Sequence, residues 1–240
     1  MSESTIQYQE LDAAKILKTI NTLSNRVHER FPESSLYKVS QRLLSIAQRT
    51  QSQVERINQP NIWLRTLSAM LIAIIIIAIW GTLTSVKTSI GTLSFVELIQ
   101  LLESAINDAV LIAVAIFFLT SLETRFKRHK ALKSIHELRA IAHIIDMHQL
   151  TKDPVRMHWV AKGVVPSHSE LTPFLLTRYL DYCSEMLSLV SKVSVLYVQK
   201  FDDPIALSAV NEVESLTTSL SRKIWQKLMI IHDGIKLSAQ

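Results

Sequence analysis

The amino-acid sequence predicts an all-α integral membrane protein: a helical hairpin of two transmembrane helices with cytoplasmic amphipathic helices that form a bundle. Residues 66–86 contain no charge, and a helix over this run is long enough to cross about 30 Å of hydrocarbon. A second apolar run, 109–122, follows between Asp108 and Glu123. The chain has only 4 glycines, a composition that disfavours turn-rich β architecture and favours long helices.

The first element is predicted to be an N-terminal cytoplasmic pair of helices over residues 1–60. Apolar residues recur every three or four positions in both helices, which is the period of an amphipathic helix. Pro32 separates the two and starts the second. The inward-facing positions are Ile16, Ile20, Leu23, Val27, Leu36, Val39, Leu43 and Ile46.

The two spans are predicted at 62–86 and 104–122, joined by a short outward-facing loop and helix start at 87–103. Lys87 is the only basic residue between the two apolar runs, whereas basic residues are frequent on the other sides of both spans. Because cytoplasmic flanks carry the excess of Lys and Arg, both termini are expected in the cytoplasm. The expected location is the plasma (inner) membrane.

A basic cluster directly follows the second span. Its members are Arg125, Lys127, Arg128, Lys130 and Lys133. Such a cluster is typical of a cytoplasmic membrane boundary that contacts anionic lipid headgroups. A nucleic-acid surface would be broader or interleaved with aromatic residues, and Phe126 is the only aromatic residue here. We therefore predict the lipid bilayer, and no nucleic acid, as a partner.

The second span is predicted to continue as a long cytoplasmic helix over 123–150, because neither Gly nor Pro occurs between Gly91 and Pro154. A loop at 151–171 and a C-terminal cytoplasmic helical pair at 172–240 should follow. The first helix of this pair carries two adjacent apolar stripes, more than one partner helix could cover. A helical bundle or a homo-oligomer, with coiled-coil-like packing, is therefore expected.

A histidine series is the first candidate for chemistry. His129, His136 and His143 recur at intervals of seven, so they share one helix face, with Asp146 close to it. This pattern allows a pH-sensing or metal-binding stripe. Successive histidines would be separated by about 10.5 Å along the axis, so a shared metal ion would require symmetry-related copies. A solvated polar face is the alternative interpretation.

Polar and small residues near the outer end of the second span are the next candidates. Asn107 and Asp108 could line a pore, since acidic residues at membrane depth are costly and often functional; an interfacial position in water and headgroups is the alternative. Ala105, Ala109 and Ala113 form a stripe of small residues that permits close helix packing. The stripe fits packing within the hairpin as well as self-association.

The sequence offers no arrangement typical of an enzyme, apart from a metal site built on His136, His143 and Asp146. It has no glycine-rich phosphate loop and no nucleophile elbow. Cys183 lies within an apolar stripe, which indicates packing. We therefore expect a non-enzymatic protein without a cofactor, a membrane scaffold or sensor whose bundle self-associates or docks a cytoplasmic protein partner.

The alternative function is an oligomeric ion channel or transporter with Asp108 near the outer entrance. The two-span plan resembles that of the CorA magnesium transporters. The Gly-Met-Asn signature of that family is replaced by Gly-Thr-Leu at Gly81 and at Gly91. The resemblance is therefore one of plan, and the sequence assigns no family.

Overall fold

The computed structural model of the 240-residue chain describes residues 10–58, 62–87, 95–152 and 171–238. Every regular element in these ranges is a helix, which confirms the all-α prediction. The helices are α1 (Ala13–Arg30), α2 (Ser35–Asn58), α3 (Ile62–Lys87), α4 (Phe95–Leu150), α5 (Pro173–Val195) and α6 (Pro204–Ser238). Of the predicted loop and helix start at 87–103, residues 95–103 are helical and 88–94 lie outside the described residues. Of the predicted loop at 151–171, residues 153–170 lie outside them.

Side-chain caps define where three of the helices begin. Asp12 Oδ1 accepts bonds of 2.9 and 3.2 Å from backbone N–H groups in the first turn of α1. Thr172 caps α5 with Pro173 as the first helical residue, and the Asp203 carboxylate caps α6 ahead of Pro204 with a bond of 2.9 Å. Proline suits this first position because its missing N–H would have no intrahelical partner.

The chain divides into two compact units, residues 1–58 with 130–240, and residues 59–129. The first unit is a helical bundle of α1, α2, α5, α6 and the part of α4 from residue 130 onward. All of these helices contribute to one apolar core. Burying a Leu or Ile side chain fully stabilises a fold by about 1.5–3 kcal/mol. The largest fully buried side chains include Ile20, Leu36, Leu43, Leu138, Leu180, Met186, Leu187 and Ile224.

Helix α5 lies at the centre of the bundle and contacts α1, α2 and α6. It buries both of the apolar stripes that the sequence shows. Three partner helices therefore supply the cover that a single partner could not give. The buried residues of α5 are Leu176, Tyr179, Leu180, Tyr182, Cys183, Met186, Leu187, Leu189, Val190, Val193 and Ser194.

A partly buried polar network lies beside this helix; Tyr197, Thr50 and Ser134 are buried, and Gln53 is exposed. Tyr197 is only 2% exposed, and its hydroxyl donates a 2.8 Å bond to Gln53 Oε1 and lies 3.0 Å from Thr50 Oγ1. Ser134 Oγ donates a 2.9 Å bond to the same Gln53 oxygen. Burial raises the pKa of Tyr197, so its hydroxyl stays a neutral donor. The network joins α2 and α4 to the segment after α5, and nothing in the sequence predicted it.

Ion pairs attach α4 to its neighbours at the edges of the bundle. Glu137 on α4 accepts from Arg42 at 2.7 Å and from Arg49 at 3.0 Å, both on α2. Arg139 on α4 lies 2.9 Å from Glu212 on α6. The charges that flank the outer face of α4 are thus engaged within the same chain.

Candidate membrane-spanning segment

The part of α4 that begins at Ala105 is long and apolar enough to cross a membrane, and no residue in its most apolar stretch is buried. Every residue from Ala105 to Leu111 is exposed, so two full turns are accessible on all sides. Exposing such an apolar surface to water is energetically unfavourable, whereas lipid chains solvate it well. The large exposed residues are Ile106, Val110, Leu111, Val114, Phe117 and Phe118, each more than half exposed.

The first predicted span, 62–86, lies on α3, which is helical from Ile62 to Lys87. Its described side chains include Trp63 and Trp80, near the two ends, at 72% and 70% exposure. Several other side chains of α3 lie outside the described residues. Among the described residues one helix is long and apolar enough to cross a membrane, and it is α4. The two-span hairpin therefore stays a prediction.

Polar residues of α4, just before and at the start of its apolar segment, form a short stripe. Gln100, Glu103 and Asn107 line a concavity of about 520 Å³ together with Ile106 and Val110. The spacing of three and four places these polar groups on one face of α4. Sequence analysis singled out Asn107 and missed the other two, although the same spacing could have identified them.

Asp108 and the small-residue stripe are exposed on the same part of α4. Asp108 is adjacent to Asn107 in the chain but does not line the concavity. Ala105, Ala109 and Ala113 are all exposed, so no helix of the described structure covers them. Their role in packing or self-association stays a prediction.

The basic cluster begins at the C-terminal end of the apolar segment. The Arg125 guanidinium carbon lies 5.9 Å from the centre of the Phe118 ring, because helical side chains lean toward the N-terminus of their helix. Lys127 forms a 2.9 Å ion pair with Glu123. Of the other members, Lys130 and Lys133 are exposed and Arg128 is half-buried. Cationic groups therefore lie where the apolar surface ends.

The histidine series lies on the outer face of α4. His129, His136 and His143 are all exposed. Asp146 accepts a 2.6 Å bond from Gln149 Nε2. In the part of the chain that the structure describes, no group of three or more His, Cys, Asp or Glu side chains is placed to hold a metal ion.

Cys183 is fully buried in the bundle. Burial raises the pKa of its thiol to about 12. A neutral, inaccessible thiol is a packing residue rather than a nucleophile.

Comparisons with protein-family models, with curated proteins and with solved structures find no match to this chain.

Proposed function

We propose that the chain is a non-enzymatic integral membrane protein in which a two-span helical hairpin anchors a cytoplasmic bundle that self-associates or docks a partner. The observation that carries this proposal is a contrast within α4. Residues 105–111 are exposed and largely apolar around the whole helix, whereas residues 131–149 bury one face only. A helix that is apolar all round is expected where lipid surrounds it, whereas a helix with one buried apolar face is expected where its other face meets water.

The basic cluster supports the orientation with both termini in the cytoplasm of the plasma (inner) membrane. The cluster lies where the apolar surface of α4 ends, with Arg125 reaching back over Phe118. Cationic side chains at this depth reach the headgroup region and bind anionic lipids, each contributing about 1 kcal/mol.

Exposed apolar residues on the bundle support a scaffold or docking role. Near the end of α6, Trp225 is 62% exposed, and Met229 and Ile230 are each more than two-fifths exposed. Aromatic and Met residues at accessible positions are enriched in protein interfaces. These residues are therefore the surface that we assign to a protein partner.

Alkaline carbonate extraction and liposome flotation test the membrane half of the proposal. The wild-type chain should stay in the membrane pellet and float with liposomes. Leu111→Arg with Val114→Arg should be released, because each arginine at the centre of a span costs about 2.5–3.5 kcal/mol. The matched control, Thr218→Arg with Ser219→Arg on the exposed face of α6, should behave as wild type. Release of the wild-type chain would overturn the proposal.

Mass measurement in detergent combined with affinity capture tests the docking half. We expect a homo-oligomer or a co-purifying protein. A strict monomer that captures no partner would contradict the scaffold role while leaving the membrane anchor intact.

The second candidate function is an oligomeric cation channel or transporter. The observation that favours it is the polar stripe of Gln100, Glu103 and Asn107, next to Asp108, at the start of the apolar segment. Carboxylates at a pore entrance would attract cations. Cation flux in proteoliposomes should fall for Asp108→Ala compared with wild type. Equal flux, or none in either protein, removes this candidate.

A further inference from the structure

Two arginines of α2 converge on a single carboxylate of α4. Arg42 Nη2 lies 2.7 Å from Glu137 Oε1, and Arg49 Nη2 lies 3.0 Å from the same oxygen atom. Because both nitrogens contact one oxygen, the two guanidinium groups lie side by side. We call Arg42 and Arg49 the arginine pair. Their side chains are 57% and 51% exposed, so a ligand can reach both from solvent.

The surface around the arginine pair carries an excess of positive charge. Glu137 supplies one negative charge for the two positive charges of the pair. On the same face of α4, Lys133 and Lys130 precede Glu137 by four and seven residues, and both are exposed. Lys38 extends the pair's own face of α2 and is exposed as well. Glu55, the other acidic residue of the α2 sequence, lies on a different face, beside the start of α1.

The guanidinium groups keep donors for a further ligand. Arg42 donates to Glu137, and Arg49 adds a long contact of 3.4 Å from Nε to the Ser45 carbonyl. Among the residues that the structure describes, the remaining N–H groups of the pair have no hydrogen-bond acceptor. A guanidinium presents its donors in a planar fork that matches phosphate oxygens. Two adjacent forks can therefore hold one phosphate between them.

We propose that the arginine pair, together with Lys133, binds a phosphate-bearing anion at the edge where α2 and α4 meet. The phosphate balances the positive charge that Glu137 leaves over, and its three acceptor oxygens take the remaining N–H groups. A lipid headgroup and a soluble phosphate compound offer the same chemistry. All of these residues belong to the bundle unit, so the site does not depend on the membrane anchor.

Isothermal titration calorimetry tests the site with the full chain in an uncharged detergent and pyrophosphate as the probe. Wild type should bind. Arg42→Gln and Arg49→Gln should each bind about tenfold more weakly, because each loses hydrogen bonds from a charged group. Arg139→Gln is the matched control, since it removes the same charge from another exposed ion pair of α4, and it should bind like wild type. No binding by wild type, or equal affinities for all three variants, overturns the proposal.

Glu137→Gln separates anion binding from a purely structural role of the arginine pair. If the pair only attached α2 to α4, this variant would lower the melting temperature and leave pyrophosphate binding unchanged. The proposed site predicts about fivefold tighter binding, because a competing negative charge beside the phosphate is removed. Circular dichroism verifies that the variant is folded. Unchanged or weaker binding by folded Glu137→Gln overturns the proposal.

Micelles doped with an anionic lipid identify the source of the phosphate. Phosphatidic acid ends in a phosphate monoester, whereas phosphatidylglycerol is anionic without one. Loss of pyrophosphate binding in phosphatidic acid micelles alone assigns the site to a lipid headgroup. Equal pyrophosphate binding in both kinds of micelle assigns it to a soluble phosphate compound. Loss in both shows that any anionic surface competes, which overturns the assignment of a phosphate site.

Discussion

Lys227 Nζ lies 2.6 Å from the backbone carbonyl oxygen of Gln149 and joins α6 to the end of α4. The same ammonium group donates a 3.0 Å bond to the carbonyl of Lys152. The last carbonyls of a helix lack intrahelical partners, and its C-terminus carries partial negative charge. At the point where α4 ends, Lys227 supplies a hydrogen-bond donor for the carbonyls and a positive charge beside the helix C-terminus.

Replacing Lys227 by Met should therefore destabilise the bundle. The variant keeps the apolar stem but removes the charged donor from two carbonyls, of which that of Gln149 retains a 3.2 Å bond from the Lys152 N–H. Losing hydrogen bonds from a charged group should cost about 1.5–3 kcal/mol. Thermal unfolding in detergent, followed by circular dichroism, measures the loss. Lys223→Met, at an exposed position of the same helix, is the matched control and should be near wild type. Equal melting temperatures for both variants would contradict the assigned role of Lys227.

Removing the Tyr197 hydroxyl should also cost stability. In Tyr197→Phe the Gln53 oxygen loses a part-buried 2.8 Å bond but keeps its bond from Ser134, and Thr50 loses a buried partner at 3.0 Å. We expect a loss of about 0.5–1.5 kcal/mol. Tyr182→Phe is the control, because Tyr182 is buried to a similar degree at 7% exposure but has no part in this network. Chemical denaturation in detergent compares the two. A larger loss for Tyr182→Phe would show that the network contributes little.

The stability of the bundle should fall as the pH drops below about 6.5, through His148. Burial lowers the pKa of His148 below its ordinary value of 6.5, and the charge of Lys152 lowers it further. The unfolded chain then binds the proton more readily than the folded chain. The stabilisation from neutral His148 is fully present above pH 6.5 and is lost as the pH falls through the lowered pKa.

Unfolding of wild type and His148→Asn between pH 8 and pH 5 measures this dependence. The variant should lose the part of the pH slope that His148 supplies. His136→Asn, at an exposed site on the same helix, is the matched variant that also removes an imidazole. Parallel curves for wild type and His148→Asn would contradict the prediction.

Cys183 should resist thiol reagents in the folded protein. It is fully buried, and burial raises the pKa of its thiol to about 12, so the reactive thiolate is scarce at pH 8. A colorimetric disulfide reagent should detect no thiol in native protein and one thiol per chain in denaturant. Rapid reaction of the native protein would show that α5 is not packed as described.

Local patterns in the sequence were sufficient for the helices and much of the core. The repeats that begin at Ile16 and Leu36 predicted the buried faces of α1 and α2, because helical periodicity depends on near neighbours only. The bond between Tyr197 and Gln53 was beyond prediction, since it joins residues 144 positions apart. The same holds for Lys227, whose acceptor lies 78 positions away. Neither contact has a local signal.

The candidate site shows the same division. The apolar character of 109–122 and the basic residues after it are properties of composition, so the sequence contained them. The position of the Arg125 guanidinium over the Phe118 ring depends on side-chain geometry, whereas the shared face of Gln100 and Asn107 was open to prediction from their spacing. The histidine series was interpreted by its residue type, and the structure shows that the series lies on an exposed face of α4 together with Met147.

Labelling of Val114→Cys in sealed membranes tests most directly whether α4 spans a bilayer. Val114 is 60% exposed in the structure, so a thiol there would react readily if water surrounded it. We predict no reaction with a membrane-impermeant maleimide from either side until detergent is added, whereas Thr124→Cys, just past the apolar segment, reacts from one side. Labelling of both positions at the same rate in intact membranes would contradict the account.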